Sequence, residues 1–535
     1  MSTPRPQQQA QQQAIVQQTP EAHEFSSARK WIIAVSVMLG TILEVLDSSI
    51  VNVSLPHMQG SFSASVDEIA WVVTSYLVAA GIMIPMTGWI AERFGRKRYF
   101  VISITMFVLA SALCGIAQSL NQIVLFRLAQ GAAGAAMMPL SQAILMETFP
   151  PREQALAMAV WGIGMMVAPI MGPTVGGYIT DAWSWRWNFY INVPIGTAAA
   201  FMVWRFVDDP AYMKNRRTGR IDFLGILCLF VTLGLGEIVL DRGERADWFQ
   251  SPWVVYSTIA CVVALIVFIY HELHTEDPVV DLRILKDRRF TLPVTLVIFL
   301  TFTLYGTAIL NPVFLQELLG YTASKAGLVM APRGVGTMFA MIILGAMARR
   351  GVDIRPLVGI GFVLVGFAMW SMAGLNLQSD ITRIVWPTVI QGIGTGLIFP
   401  GLSAAALSSM EKFKMQRAAS LYAVTRNLGA ALGTSYLTTL LIHRQQVRQS
   451  YLVEHVSVFT LPHLRLPGAQ GMDLMHQFAM GQNRGMAMIY GMLQRQAMML
   501  SFNDIYRMLA GLMIILVPTF LFLQRDRRNL PVAEH

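Results

Sequence analysis

The sequence predicts an all-α polytopic membrane protein with fourteen transmembrane helices, and three observations lead to this fold class. Hydrophobic residues make up 54% of the 535-residue chain and charged residues only 13%, about half of the charged share that is usual in soluble domains. The charged residues are clustered, and the apolar runs between the clusters are about 20 residues long, enough for a helix to cross a bilayer. These runs lack the alternation of β-barrel strands, so the spans are predicted to be helices.

The spans form two groups of six with a pair between them. The first group, in residues 29–207, is predicted to contain spans at 31–54, 69–90, 99–118, 122–146, 156–180 and 188–207. The central segment, residues 208–290, contains spans at 222–240 and 253–271. The second group, in residues 291–525, contains spans at 291–315, 326–348, 356–377, 384–409, 419–442 and 508–524. The predicted architecture is therefore two six-helix bundles plus two extra central helices.

The segments outside the spans set the orientation. Residues 1–28 are glutamine-rich without an apolar core and are predicted to be a disordered cytoplasmic tail, and residues 526–535 form a second tail. The first apolar run is long enough to span, so it is predicted to be a retained helix and not a cleaved signal. Most of the 40 Lys and Arg residues fall on one side, which places both termini in the cytoplasm. Segment 443–507 is too long for a turn and is predicted to form an extracytoplasmic loop.

The positive charge does not require a nucleic acid as a partner. A formal net charge of +9 is explained by Lys and Arg in cytoplasmic loops, where they set the topology of a membrane protein. The three cysteines, Cys114, Cys228 and Cys261, all lie in predicted spans and have neither metal-site spacing nor a disulfide pattern. His271 and His274, with acids beside them, could bind a metal, but a solvated helix end is the favoured interpretation.

An internal repeat connects the two groups of spans. Gln130-Gly131 precedes Pro139 at the same distances at which Gln391-Gly392 precedes Pro400, an offset of 261 residues. Repeats of this kind are typical of secondary transporters, whose two halves rock about a central site. The repeat therefore favours a transporter.

Two acids in the first span are candidates for proton coupling. Glu44 and Asp47 are three residues apart and so share a helix face. A charge at bilayer depth costs at least a few kcal/mol, and burial of two neighbouring acids favours their neutral forms. Such a group can take up and release protons. The alternative is that Asp47 only hydrogen-bonds a neighbouring helix and that Glu44 contacts water.

Three further ionisable residues within spans are candidate site residues. Arg127, in the fourth span, keeps its proton and therefore needs an acidic partner or a wet cavity, and its movement relative to an acid could switch proton affinity. Glu237 and Arg426 are possible cavity residues, although a structural pairing is the favoured interpretation for both.

Two motifs combine small residues with prolines or charges. The fifth span contains Pro169, Gly172, Pro173, Gly176 and Gly177, a set that permits close helix packing and bending. This set is called the seam below. The loop after the second span contains Gly88, Glu92, Arg93, Gly95, Arg96 and Lys97. On spacing alone this loop, called the latch loop below, is a topology signal.

These motifs together resemble the major facilitator superfamily. The latch loop is similar to the superfamily's signature between helices two and three, in which an acid and basic residues hold the two halves in one state; Glu92 stands where the family usually has Asp. Arg127 with Gln130-Gly131 resembles the fourth-helix motif, whose Arg is implicated in proton transfer. The seam resembles the antiporter signature of exporters, and the resemblance implies alternating access.

Further segments resemble the fourteen-span drug:proton antiporters, in particular their EmrB branch. These are the first-helix run from Leu46 to Pro56, the sixth-helix entry from Trp185 to Gly196, and Asp277 to Leu282 after the central pair. The resemblance covers roughly residues 30–525. It implies a bacterial inner-membrane pump for hydrophobic drugs or toxic compounds, driven by protons without a cofactor. It also implies a periplasmic membrane-fusion adaptor and an outer-membrane channel as partners.

The sequence therefore predicts a proton-coupled exporter and not an enzyme. Export of a specific metabolite, such as a siderophore, is the alternative that the residues leave open. Uptake symport is disfavoured by the seam, and a membrane enzyme by the lack of clustered acids or histidines at a membrane face in the sequence. A scaffold without transport would have no use for Glu44 and Asp47.

Overall fold

The computed structural model describes residues 26–209, 222–243, 246–275, 278–350, 352–411, 414–454 and 482–523. The predicted terminal tails lie almost entirely outside these residues, as do part of segment 208–290 and the middle of segment 443–507. All regular elements of the described residues are helices. The all-α prediction is therefore confirmed.

Fourteen long helices coincide with the fourteen predicted spans within the described residues. The first six are α1 Ser27–Phe62, α2 Trp71–Phe94, α3 Arg96–Ile116, α4 Leu120–Thr148, α5 Pro151–Ala182 and α6 Asn192–Phe206. The central pair is α7 Phe223–Arg242 and α8 Pro252–His274. The last six are α9 Arg288–Leu318, α10 Ala323–Arg349, α11 Arg355–Met372, α12 Ile381–Ser408, α13 Met415–Glu454 and α14 Gln482–Leu516.

Eleven of these helices or their apolar portions are long and apolar enough, by length and composition, to cross a membrane. The other three are α5, α6 and α13. Helix α6 has 15 residues and rises only about 22 Å, and α13 is rich in Thr, Ser, Gln and Arg. The chain is a multi-pass membrane protein with the predicted order of helices.

Local sequence explains where several helices begin or bend. Ser26 caps α1 by accepting a hydrogen bond from the Arg29 amide. Asp380 precedes α12 and accepts a hydrogen bond from the amide of the next residue, Ile381. Helix α4 is interrupted at residues 135–136. Helix α9 continues after Pro312 as a π-helical turn, residues Phe314–Leu318, because a proline removes one helical hydrogen bond.

The described part of segment 443–507 extends the two helices that border it. Helix α13 continues to Glu454 and α14 begins at Gln482, so both ends of the segment are helical. The two helices pack together, and Arg448 forms a bidentate ion pair with Asp504 at 2.7–3.0 Å. Helix α13, with 40 residues, is about 60 Å long, twice the thickness of a hydrocarbon core.

Helix packing repeats between the two halves, α1–α6 and α9–α14. In the first half α1 packs on α5 and α2 on α4, and in the second half α9 packs on α13 and α10 on α12. The halves meet where α5 packs on α10 and where α2 packs on α13. Because α5 corresponds to α13 and α2 to α10, a two-fold rotation that exchanges the halves also exchanges these two contacts. The central helix α7 packs on α8, α2 and α13.

Candidate functional site

The first span presents one fully buried acid to the interior of the first half. Asp47 of α1 is 0% exposed and its Oδ2 atom lies 2.6 Å from Nη1 of Arg127, which is 1% exposed. The predicted requirement of Arg127 for an acidic partner is met by this contact. An ion pair removed from water is stable only when further hydrogen bonds satisfy its remaining atoms.

Those further hydrogen bonds come from two amides. Gln130 Nε2 and Asn192 Nδ2 donate to Asp47 Oδ1 at 2.9 and 2.7 Å. Gln130 also accepts from Arg127 Nη1 at 2.8 Å through its Oε1 atom. The carboxylate is therefore held by side chains from α4 and α6 at once.

Arg127 is positioned from its other side by α2. Its Nε donates to the Val72 carbonyl at 3.1 Å, and its Cζ lies 4.2 Å from the centre of the Tyr76 ring. A guanidinium over an aromatic ring is stabilised by the negative face of the ring. This cluster, termed the Asp47 site, thus joins helices α1, α2, α4 and α6 around one charge pair.

Glu44 lies one turn before Asp47 but has different neighbours. It is 8% exposed, and its Oε2 atom has no hydrogen-bond partner in the described part of the chain. It faces the backbone of Met138 and the charge of Arg426 in the second half. The two acids share a helix face as predicted, yet Asp47 lies inside the first half and Glu44 at the boundary between halves.

The latch loop contacts the second half through the carboxylate of Glu92. Glu92 Oε2 accepts hydrogen bonds from Arg417 of α13, with Nε and Nη2 both at 2.9 Å. Beside it, a Cβ added to Gly88 would lie 2.8 Å from the Arg417 Cα, so only glycine allows this approach. The end of the bundle at Gly95, called the latch end below, is closed by these contacts and by Thr87 Oγ1, 2.6 Å from Ser420 Oγ.

The basic residues of the latch loop make contacts within the first half. Arg96 pairs with Glu147 of α4, the Lys97 amide donates to Asp209 at 2.9 Å, and Arg93 lies over the Trp89 ring. Gly95 has a φ of 87°, a backbone conformation that favours glycine. The sequence did not indicate Arg417, the partner across the halves.

The seam packs directly against the stretch of α1 that carries Asp47. A Cβ on Gly172 would lie 2.4 Å from Ser49 Oγ, and one on Gly176 would lie 2.9 Å from Ile50 Cγ2. At Gly177 the nearest atom is 3.7 Å away, which is ordinary contact. The side chains of Pro169 and Pro173 lie outside the described residues.

The internal repeat gives the two halves one framework with different chemistry. A Cβ added to Gly131 would lie 2.3 Å from the carbonyl oxygen of Tyr76, and one added to Gly392 would lie 2.1 Å from the carbonyl oxygen of Arg333. Both glycines therefore allow close contact between two helix backbones. Gln130 donates to Asp47, while its counterpart Gln391 donates to Thr307 Oγ1 at 3.1 Å.

The offsets of these pairs are 261 residues for the glutamines and 260 for their acceptors. The position of Arg127 likewise corresponds to Thr388 in the second half. The buried ion pair is thus present in the first half and replaced by threonines in the second.

Glu237, the remaining ionisable candidate, lies half-buried on α7. Its helix packs on α8, on α2 of the first half and on α13 of the second half, so Glu237 lies on the helix that borders both halves. Arg426 is 3% exposed and, like Glu44, lies where α13 meets the first half. Sequence reasoning missed Asn192 as a site residue, although it stands in the sixth-helix motif.

Comparisons with known proteins agree with this architecture. Residues 37–434 match the family model of the Major Facilitator Superfamily. The multidrug export protein EmrB of Escherichia coli K12 is 36% identical over 496 residues, covering 92% of this chain and 95% of that protein. The fatty acid resistance protein FarB of Neisseria gonorrhoeae is 34% identical over 503 residues, covering 92% and 95%.

Among solved structures, the proton:xylose symporter XylE is similar in fold. Its TM-score is 0.59 at 12% sequence identity, and the match covers 94% of this chain and 97% of that chain.

Proposed function

Because the chain belongs to the major facilitator superfamily and is related over most of its length to multidrug export proteins, we propose that it exports hydrophobic or amphipathic compounds in exchange for protons. The relatives are named for export of drugs and for resistance to fatty acids and colistin. The observation that carries the proton-coupling part of this proposal is the buried ion pair of Asp47 and Arg127.

The geometry of the Asp47 site supports a proton switch. While Arg127 and the two amides of Gln130 and Asn192 contact the carboxylate, its oxygens are occupied by donors. Protonation removes the negative charge that pairs with Arg127, so it is favoured when these donors move away. Because they belong to α4 and α6, relative movement of the helices would couple protonation of Asp47 to conformation.

The seam provides a route for that coupling. Gly172 and Gly176 contact α1 at Ser49 and Ile50, beside Asp47. Helix α5, which carries the seam, also packs on α10 of the other half. Rocking of the halves would therefore displace α1 and its acid relative to Arg127.

The latch end is proposed to face the cytoplasm of a bacterium, with the protein in the inner membrane and both termini inside. Arg93, Arg96, Lys97 and Arg98 at this end support the assignment, since basic residues favour the cytoplasmic side. In this orientation the state described here is closed towards the cytoplasm by the contact of Glu92 with Arg417.

The extended ends of α13 and α14 are proposed to dock a periplasmic adaptor, which would connect the pump to an outer-membrane channel. Residues 443–454 continue α13 about 18 Å beyond the predicted span, and the pair of Arg448 with Asp504 braces the two helices. A deletion within segment 443–507 that removes these helix ends and leaves crosslinking to the adaptor intact would disprove this docking role.

Proton exchange is tested in acid-loaded everted vesicles to which lipophilic compounds are added. We expect compound-triggered proton release from the parent protein and none from Asp47→Asn at matched expression. Thr307→Val, at the equivalent buried position of the second half, is the matched control and retains release. Continued exchange by Asp47→Asn would remove Asp47 from the coupling mechanism, and the absence of release from the parent would refute drug:proton antiport.

A further inference from the structure

Two buried, oppositely charged side chains at the boundary of the halves lack full partners. Glu44 Oε2 and Arg426 Nη1 have no hydrogen-bond partner among the residues that the structure describes. The two residues are 8% and 3% exposed, and they do not form an ion pair with each other within 4 Å there. Leaving a charged donor buried and unsatisfied is costly, which calls for a ligand or another state that satisfies it.

The surroundings of Arg426 are poor in acceptors. Its Nη2 atom contacts the sulfur of Met138 at 2.7 Å and the Asn427 side-chain oxygen at 3.5 Å. A thioether is a weak acceptor, and neither neighbour carries a charge. In contrast, Arg127 is matched by the carboxylate of Asp47. Arg426 is thus a buried cation without an anion in contact among the described side chains.

We propose that Arg426 binds the anionic head group of an amphipathic substrate, with protonated Glu44 donating a second hydrogen bond to it. This assignment rests on the export function proposed above and specifies a charge preference at one residue. A carboxylate or phenolate would satisfy Nη1 of Arg426, whereas a cationic head group would be repelled by it. The neutral partner Met138 contributes apolar, adaptable contact area beside the head group.

The other titratable groups around this pair are consistent with that role. The negative charge of Asp47 in α1 is balanced by the positive charge of Arg127. Tyr76 of α2 and Tyr422 of α13 lie near Glu44 and Arg426 respectively, and phenols are neutral at physiological pH. Glu44 is therefore the one group of this set whose charge competes with a bound anion, so anion binding should be accompanied by uptake of a proton there.

The experiment uses three amphiphiles with one chain and different head groups: dodecanoate, dodecanol and dodecyltrimethylammonium. Each carries a diazirine on the chain, and crosslinking to the purified full-length protein in lipid nanodiscs gives an apparent Kd. We expect Arg426→Gln to weaken dodecanoate binding about tenfold to hundredfold with little change for the other two. Arg426→Lys should restore part of the loss, and Arg333→Gln serves as the control for another cation within the spans.

A second readout separates this role from a structural one. Binding of dodecanoate to the parent protein should take up more protons than binding of dodecanol, by up to one per protein, and Glu44→Gln should abolish the difference. Equal weakening of all three compounds by Arg426→Gln would overturn the proposal. If the parent binds dodecanol but not dodecanoate, the anion site is refuted while export stands, and if no amphiphile binds, the export function itself fails.

Discussion

Replacing Gly88 by alanine should open the latch end of the protein. In the closed state a Cβ at this position would lie 2.8 Å from the Cα of Arg417 and 3.0 Å from the Gln416 carbonyl oxygen. Carbon atoms in contact are normally about 3.5–4.0 Å apart, so α2 and α13 must separate by about 1 Å. The obstacle is backbone, which cannot turn aside as a flexible side chain can.

The energetic effect follows from this overlap. Inserting one methyl group into a close-packed contact costs about 1–3 kcal/mol, and the separation would also stretch both hydrogen bonds of Glu92 to Arg417, each 2.9 Å long. Since the cost is paid only while the halves are closed at this end, it shifts the equilibrium towards the open state by about 5- to 150-fold.

The population shift is measured by pulsed electron–electron double resonance between two spin labels. The labels are attached to cysteines introduced at Phe94 and Glu411, which are both exposed at the latch end. The background carries serine in place of the three native cysteines. We expect Gly88→Ala to move the distance distribution to longer values. Gly81→Ala, in the same helix with no atom within 4 Å of the added Cβ, is the control. Identical distributions for the two variants would refute the latch argument.

Two further substitutions test the seam and the Asp47 site. Gly172→Ala should abolish export in a vesicle efflux assay because its Cβ would lie 2.4 Å from Ser49 Oγ, while Gly177→Ala, whose Cβ has its nearest neighbour at 3.7 Å, should export normally. Adding Ser49→Gly to Gly172→Ala should restore export. Failure to restore it would argue against a steric cause. Asn192→Ala removes one of the donors to Asp47 and should lower compound-triggered proton release about tenfold or more. Unchanged release would show that Asn192 does not position the acid.

Most of the fold could be predicted from the sequence because membrane spans are specified locally. Each span is a long apolar run, and every predicted run coincides with a helix within the described residues. The exception is the extension of α13 to Glu454 and the start of α14 at Gln482. These segments are polar, so hydropathy ends the span where the helix continues, and their pairing through Arg448 and Asp504 is a tertiary contact.

The site was predicted only where a residue is anomalous by itself. A charge within an apolar run attracts notice, so Asp47 and Arg127 were identified without their partners. Asn192 is neutral and occurs at a helix start, which gives no local signal. Arg417 lies 325 residues from Glu92 in a segment with several basic residues, and only the packing of α2 on α13 singles it out.

The close approaches of glycine to backbone carbonyls also have a mechanical consequence. Within a half, an added Cβ at Gly131 or Gly392 would lie 2.3 or 2.1 Å from a carbonyl oxygen, so helices touch there without intervening side chains that could change rotamer. At α5 against α10, by contrast, Gly162 and Gly345 meet the flexible ends of Met341 and Leu156. Each half should therefore be stiff and the contact of α5 with α10 compliant, so that a half tilts as one rigid body. When the latch end of a half moves, the end of the same half at the opposite membrane face then moves with it, without a series of separate side-chain movements.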